Sequence, residues 1–233
     1  MILILKKTYH YILKKNYKND KVIMTIKTII FDFGGVVTNS PIEGFKELEN
    51  THGYSKGLIT SINMNNPNNN AWAQSERGEI DIDTFITKFE KEALEIGQKI
   101  NANEILTKLY GSMRPIMIDK IISLAKTKKY NLICLTNVLK GIKKFMPKER
   151  EEAVNNIMSY FDTVYESYKI GMRKPESRIY EYLIKNLSII PKETVFLDDL
   201  GMNLKTAKIL GINTIKVVDP GVAIKELDLL LKE

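Results

Sequence analysis

The run Ile26-Lys27-Thr28-Ile29-Ile30-Phe31-Asp32-Phe33-Gly34-Gly35-Val36 decides the fold. A short, β-branched apolar stretch that ends in an acid and paired glycines reads as a buried strand delivering a carboxylate into a turn. Four further runs of the same kind follow, at 131–136, 163–167, 194–197 and 213–218, each bounded by turn residues. Between them lie segments with apolar residues at i, i+3 and i+4, over 114–128, 148–160, 176–187 and 203–210, with a closing one at 223–231. Strands alternating with amphipathic helices give an α/β fold, a doubly wound Rossmann-like parallel sheet.

One interval breaks the alternation. About a hundred residues separate the first strand from the second, and 42–112 contains no convincing strand but several helical stretches, at 42–49, 83–94 and 103–109. It reads as an inserted α-helical subdomain, with 25–41 and 113–233 forming the core. Within it, Asn63-Met64-Asn65-Asn66-Pro67-Asn68-Asn69-Asn70 is a loop, because Asn and Pro disfavour the interiors of regular elements.

Composition agrees with a chain that buries a core. At 233 residues, 44% hydrophobic and 27% charged, it is neither disordered, collagenous nor a coiled coil, and no stretch approaches the ~18 apolar residues of a membrane span. The formal charge of +7 is not spread over the fold: residues 1–27 hold seven lysines against the single acid Asp20, and the remainder is nearly neutral. Residues 1–24 therefore form a basic N-terminal extension, and neither nucleic acid nor membrane is expected as a partner. Mitochondrial targeting by 1–23 has weak support, since the stretch is basic but lacks Arg and Ser, and Met24 is an alternative start. One cysteine, Cys134, and two histidines leave no disulfide and no thiolate or imidazole zinc site, so the reducing cytoplasm is the expected compartment.

Ligands of doubly wound sheets bind beyond the carboxyl ends of the strands. Here those ends carry Asp32, then Thr136-Asn137, then Asp198-Asp199, with Lys174 in Gly171-Met172-Arg173-Lys174-Pro175-Glu176 opening a helix between the last two. Taken singly, each has a structural reading: a turn cap, a strand-end hydroxyl, a solvated lysine, a helix N-cap. Together, in this order, they converge on one crevice. Trp72 reads as packing of the inserted subdomain rather than, with Glu76 and Arg77, lining its face of the crevice, Arg173 and Arg178 as solvent-facing rather than substrate contacts, and Cys134 as a buried small hydrophobe.

The ordered set resembles the haloacid dehalogenase superfamily over roughly 26–218. Arg77-Gly78-Glu79-Ile80 and the stretch from Gly171 to Tyr180 are similar to its branch containing bacterial glucose-1-phosphate phosphatase and the amino-terminal phosphatase domain of epoxide hydrolase. The resemblance implies that 42–112 is a cap and that the chain is a magnesium-dependent phosphatase of a small phosphorylated metabolite, a monomer or homodimer. Asp32 falls on the nucleophile that forms an aspartyl-phosphate, with Thr136 and Lys174 as its catalytic partners. Thr136, Asn137 and Lys174 bind substrate, and Asp32, the Gly34 carbonyl, Asp199 and Asp198 serve the metal, Asp198 and Asn203 from behind. The chemistry is coherent, because a carboxylate attacks a phosphate dianion only where cations neutralise both.

One position departs from the pattern. Most phosphatases of the superfamily carry a second acid two residues after the nucleophile, to protonate the leaving group; here it is Gly34. Positioned acid–base catalysis is worth ~10²- to 10⁴-fold, so either another group or water replaces the acid, or the substrate brings a good leaving group, such as a sugar 1-phosphate, or catalysis is weak. A haloacid dehalogenase-type hydrolase and a catalytically weak phosphometabolite-binding protein are the alternatives.

Overall fold

The computed structural model describes residues 25–232. The extension expected over 1–24, with its targeting and start-site readings, lies outside the described residues. From β1 (Thr28–Phe31) the chain enters five helices, α1 (Pro41–His52), α2 (Leu58–Met64), α3 (Ala71–Glu76), α4 (Ile82–Glu95) and α5 (Ala102–Thr107). It returns through α6 (Pro115–Thr127) to β2 (Asn131–Thr136), α7 (Lys148–Met158), β3 (Thr163–Glu166), α8 (Ser167–Ile170) and α9 (Ser177–Asn186). It ends with β4 (Thr194–Asp198), α10 (Gly201–Ile209), β5 (Asn213–Lys216) and α11 (Pro220–Leu231). The strands form one parallel sheet in the order β3-β2-β1-β4-β5, doubly wound about the central β1. Among the described residues, no helix is long and apolar enough to cross a membrane.

The β1 residues are buried on both sheet faces because the alternation of side chains sends them to different layers. Ile29 and Phe31 pack with Met117, Ile121 and Leu124 of α6, Ile157 of α7 and Leu227 of α11, whereas Ile30 packs with Ile179 and Leu183 of α9 and Leu204 of α10. Of the run 26–36 only Thr28–Phe31 is strand, and the chain leaves the sheet at Asp32 to enter the glycine turn.

The insertion has a core of its own. Phe45 and Leu48 of α1, Ile59 and Ile62 of α2, Trp72 of α3, and Phe85 and Phe89 of α4 gather around one another, with Trp72 meeting three aromatic rings edge-on. Helices α2 and α3 are the elements that periodicity missed: at seven and six residues they are too short to show a repeat. The Asn-rich stretch begins in the last turn of α2 and then runs irregularly to Asn70, whose side chain caps α3 by accepting from the Ala73 amide. Leu139 and Ile142, which follow β2 in the sheet domain, are buried in this helical core. The two connections between the parts lie side by side, with Thr38 bridged to Met113 and the Asn39 amide donating to the Ser112 carbonyl.

Candidate active site

Register places the strand-end residues. Phe31 pairs with Cys134 on one side and with Leu197 on the other, so Asp32 stands level with Asp198, and Thr136 one step further out on β2. The ladder extends to the acid itself, because the Asp32 amide donates to the Leu197 carbonyl (2.9 Å). Lys174 arrives from the turn before α9 and is 1% exposed. Its Nζ lies 2.8 Å from Asp32 Oδ1 and 2.8 Å from Asp198 Oδ2. Asp32 Oδ1 also accepts from the Phe33 amide (2.6 Å), which leaves Oδ2 outside these bonds.

Asp198 is 0% exposed and saturated. Its Oδ1 accepts from the Leu200 amide (2.8 Å) and Asn203 Nδ2 (3.0 Å), and its Oδ2 from Lys174 and Asn203 Nδ2 (3.0 Å). Asn203 is held in turn, its carbonyl accepting from the Tyr180 hydroxyl (3.0 Å). Asp199 turns the other way, against the glycine turn: a Cβ at Gly35 would lie 2.2 Å from its Oδ2, and Gly35 has φ +79°, so only glycine fits there.

Electrostatics follow from this packing. Burial pushes the Asp32 carboxyl up to about 8, Lys174 opposing it and the charges of Asp198 and Asp199 adding to it. Burial also raises Asp199, with Asp198 adding and Lys174 opposing. For Lys174 burial disfavours the ammonium, but Asp198 and Asp32 outweigh it and hold the side chain protonated. With all three carboxyls ionised, the one ammonium would leave two negative charges uncompensated, and burial together with this excess holds the Asp32 and Asp199 carboxyls above the ordinary carboxylate range. Carboxylate oxygens of Asp32, Asp198 and Asp199 all lie within 4.8 Å of one another, a set of hard donors that suits a divalent hard cation.

A family model for haloacid dehalogenase-like hydrolases matches residues 26–211. The chain belongs to the haloacid dehalogenase-like hydrolase family. Among curated relatives of this hydrolase, mouse acyl-CoA dehydrogenase family member 10 is 33% identical over 88% of the chain and 19% of its own length. Mouse bifunctional epoxide hydrolase 2 is 26% identical over 88% of the chain and 39% of its own length. The chain thus spans about a fifth and about two fifths of these two relatives. The D-ribitol-5-phosphate phosphatase of Bacteroides thetaiotaomicron is 27% identical over 81% of the chain and 90% of the enzyme. A solved family enzyme from the same bacterium, in complex with magnesium and inorganic phosphate, superposes with a TM-score of 0.55 at 25% identity, covering 82% of this chain and 93% of that one.

The fold of this haloacid dehalogenase-like hydrolase brings Asp32, Lys174, Asp198 and Asp199 together at one point. The side-chain amide of Asn137, expected as a substrate contact, is engaged with the protein itself. Its Oδ1 accepts from the Lys174 amide (2.9 Å), and its Nδ2 donates to the Lys174 carbonyl (2.9 Å) and to Glu76 Oε2 (3.1 Å). Arg173, expected in solvent, is ion-paired with Glu76. Glu76, four residues after Trp72 on the same helix face, is buried in α3 where that face meets the sheet domain. Arg178 does stay at the surface, paired with Glu176, and Trp72 and Cys134 are buried as expected.

Proposed function

We propose that this hydrolase is a magnesium-dependent phosphatase of a small phosphorylated metabolite, acting through an aspartyl-phosphate on Asp32. The observation that carries the reading is the buried cluster in which one ammonium faces three carboxylates. A phosphate dianion entering such a place would be repelled unless further positive charge came with it. Asp32 and Asp199, with the Gly34 carbonyl, are the ligands that would hold magnesium, and when bound it supplies charge neutralisation and polarises the phosphoryl oxygens. Asp198, whose oxygens are already filled, keeps Lys174 in place rather than binding directly.

Asp32 Oδ2 attacks phosphorus, the bond to the leaving oxygen breaks, and water then cleaves the acyl phosphate to regenerate the carboxylate. Lys174 offsets charge on the transferring group, and the Thr136 hydroxyl donates to one of its oxygens. With Gly34 supplying no acid, the leaving oxygen must bear charge well, which favours sugar 1-phosphates and acyl or aryl phosphates over sugar 6-phosphates. A dehalogenase would expel a halide without needing the cation, and would leave the acidic cluster unexplained.

The test is phosphate release from a panel of phosphate esters with magnesium and with EDTA. Turnover with magnesium only, lost to below about a hundredth in Asp32→Asn, a barrier change of ~2.7 kcal/mol, is the expected result. Activity that survives chelation or this substitution would sink the reading.

A further inference from the structure

We propose that Glu76, a cap residue, is a positioning residue for Lys174, making the placement of the cap a condition for the geometry of the core's lysine. This rests on the phosphatase reading only for its catalytic consequence.

Glu76 is 7% exposed at the end of α3 and receives three donors. Trp72 Nε1 donates to its Oε1 (3.1 Å), while Asn137 Nδ2 (3.1 Å) and Arg173 Nε (2.5 Å) donate to its Oε2. Two of these three belong to the sheet domain, and each adjoins a residue of the site: Arg173 precedes Lys174, and Asn137 follows Thr136. The Asn137 amide also grips the Lys174 backbone at both its N–H and its C=O. Glu76 therefore fixes the flip state and position of the amide that brackets Lys174, and holds the neighbouring guanidinium as well.

Only a carboxylate serves here. Both oxygens of Glu76 accept, and a glutamine would present its NH₂ group either to the Trp72 N–H or to the Asn137 and Arg173 N–H groups. In a buried setting a donor left facing a donor is costly, and the Asn137 amide is the partner that can rotate to escape. Rotation reverses its oxygen and nitrogen and breaks both bonds to Lys174.

A second ion pair crosses the same seam without touching the lysine. Arg77 NH1 lies 3.2 Å from Glu176 Oε1, and its Nε and NH2 bind Glu79. It supplies the comparison that separates positioning from mere anchoring of the cap. In Glu76→Gln, hydrogen exchange of the Lys174 amide should accelerate about tenfold, while in Arg77→Gln it should stay within about twofold of wild type. The second readout is inhibition by inorganic phosphate, expected to weaken about tenfold in Glu76→Gln and to hold in Arg77→Gln.

Equal effects of the two substitutions would show that Glu76 only ties down the cap, and no effect of either would overturn the proposal outright. Should Glu76→Gln fail to fold, Glu76→Asp, which keeps the charge but shortens the reach, takes its place with the same expectations. A wild-type protein that neither releases nor binds phosphate would sink the phosphatase reading and leave the exchange comparison standing as the test of the positioning role.

Discussion

Gly34 occupies the place of an acid, yet nothing in its surroundings demands glycine. A Cβ built there meets nothing within 4 Å, and its backbone is not among those at positive φ. Gly34→Asp should therefore fold, and it should speed esters with poor leaving groups more than those with good ones. The slope of log kcat/KM against leaving-group pKa measures this, and an unchanged slope would mean that another group already supplies the proton. Asp32 makes a second expectation at this scale. Its carboxyl moves from 3.8 to about 8 on folding, chiefly through burial, so between those values the folded state binds the extra proton. Stability from this group is present at low pH and lost as pH rises through about 8. In EDTA the melting temperature should fall across that window, and Asp32→Asn should flatten the fall. Magnesium should restore stability at pH 8 in the wild type more than in the variant.

Between α3 and α4, the element scale is set by how closely the cap approaches the sheet domain. Gly78 has φ +72°, and a Cβ there would lie 2.5 Å from the carbonyl oxygen of Tyr168 in α8. Lys140 completes the seam, its amide donating to the Ser75 carbonyl and its Nζ to that of Gly78. Gly53, which closes α1 at φ +67°, has the same backbone requirement but open space around it. Alanine at either position carries a conformational cost of about 1–3 kcal/mol, but only Gly78→Ala also forces backbone apart. Gly78→Ala should lower the melting temperature further than Gly53→Ala, the difference reporting the contact alone. Equal losses would mean that the seam yields without cost.

At the scale of the whole molecule, the helical insertion is not self-sufficient. Leu139 and Ile142 come from the sheet domain after β2, are 3% and 6% exposed, and complete the core built by Phe45, Trp72, Phe85 and Phe89. The Tyr110 hydroxyl adds a bond to the Ile142 carbonyl (2.7 Å). An excised fragment 41–112 should fail to fold, which circular dichroism would show, and the full chain should melt in a single calorimetric transition. Leu139→Ala should cost about 2–5 kcal/mol through the cavity it leaves, without a separate cap transition appearing. A folded fragment or two resolved transitions would show the cap to be an independent unit.

The parallel sheet, its strand ends and the family were legible in the linear chain because each rests on local patterns. Apolar runs of strand length mark β1 to β5, and acids placed just beyond them mark the crevice, since topology carries every strand end to one side of the sheet. Helices α2 and α3 left no trace of comparable strength, being too short for a periodic pattern and held by packing in the insertion's core, α2 through Ile59 and Ile62 and α3 through the rings around Trp72. The hydrogen bonds of Asn137, Arg173 and Glu76 are illegible in the linear chain for a related reason. Their roles come from partners 37, 97 and 61 positions away, and neither composition nor spacing records which donor a buried carboxylate will meet. The division of labour between Asp198 and Asp199 likewise appears only when the chain is folded: the first is filled by Lys174, Asn203 and the Leu200 amide, and the second faces the Gly35 turn. Sequence determined which chemical groups reach the sheet edge; tertiary packing decided which are free to act and which are spent holding the others, because hydrogen-bond satisfaction in a buried site depends on the whole set of neighbours.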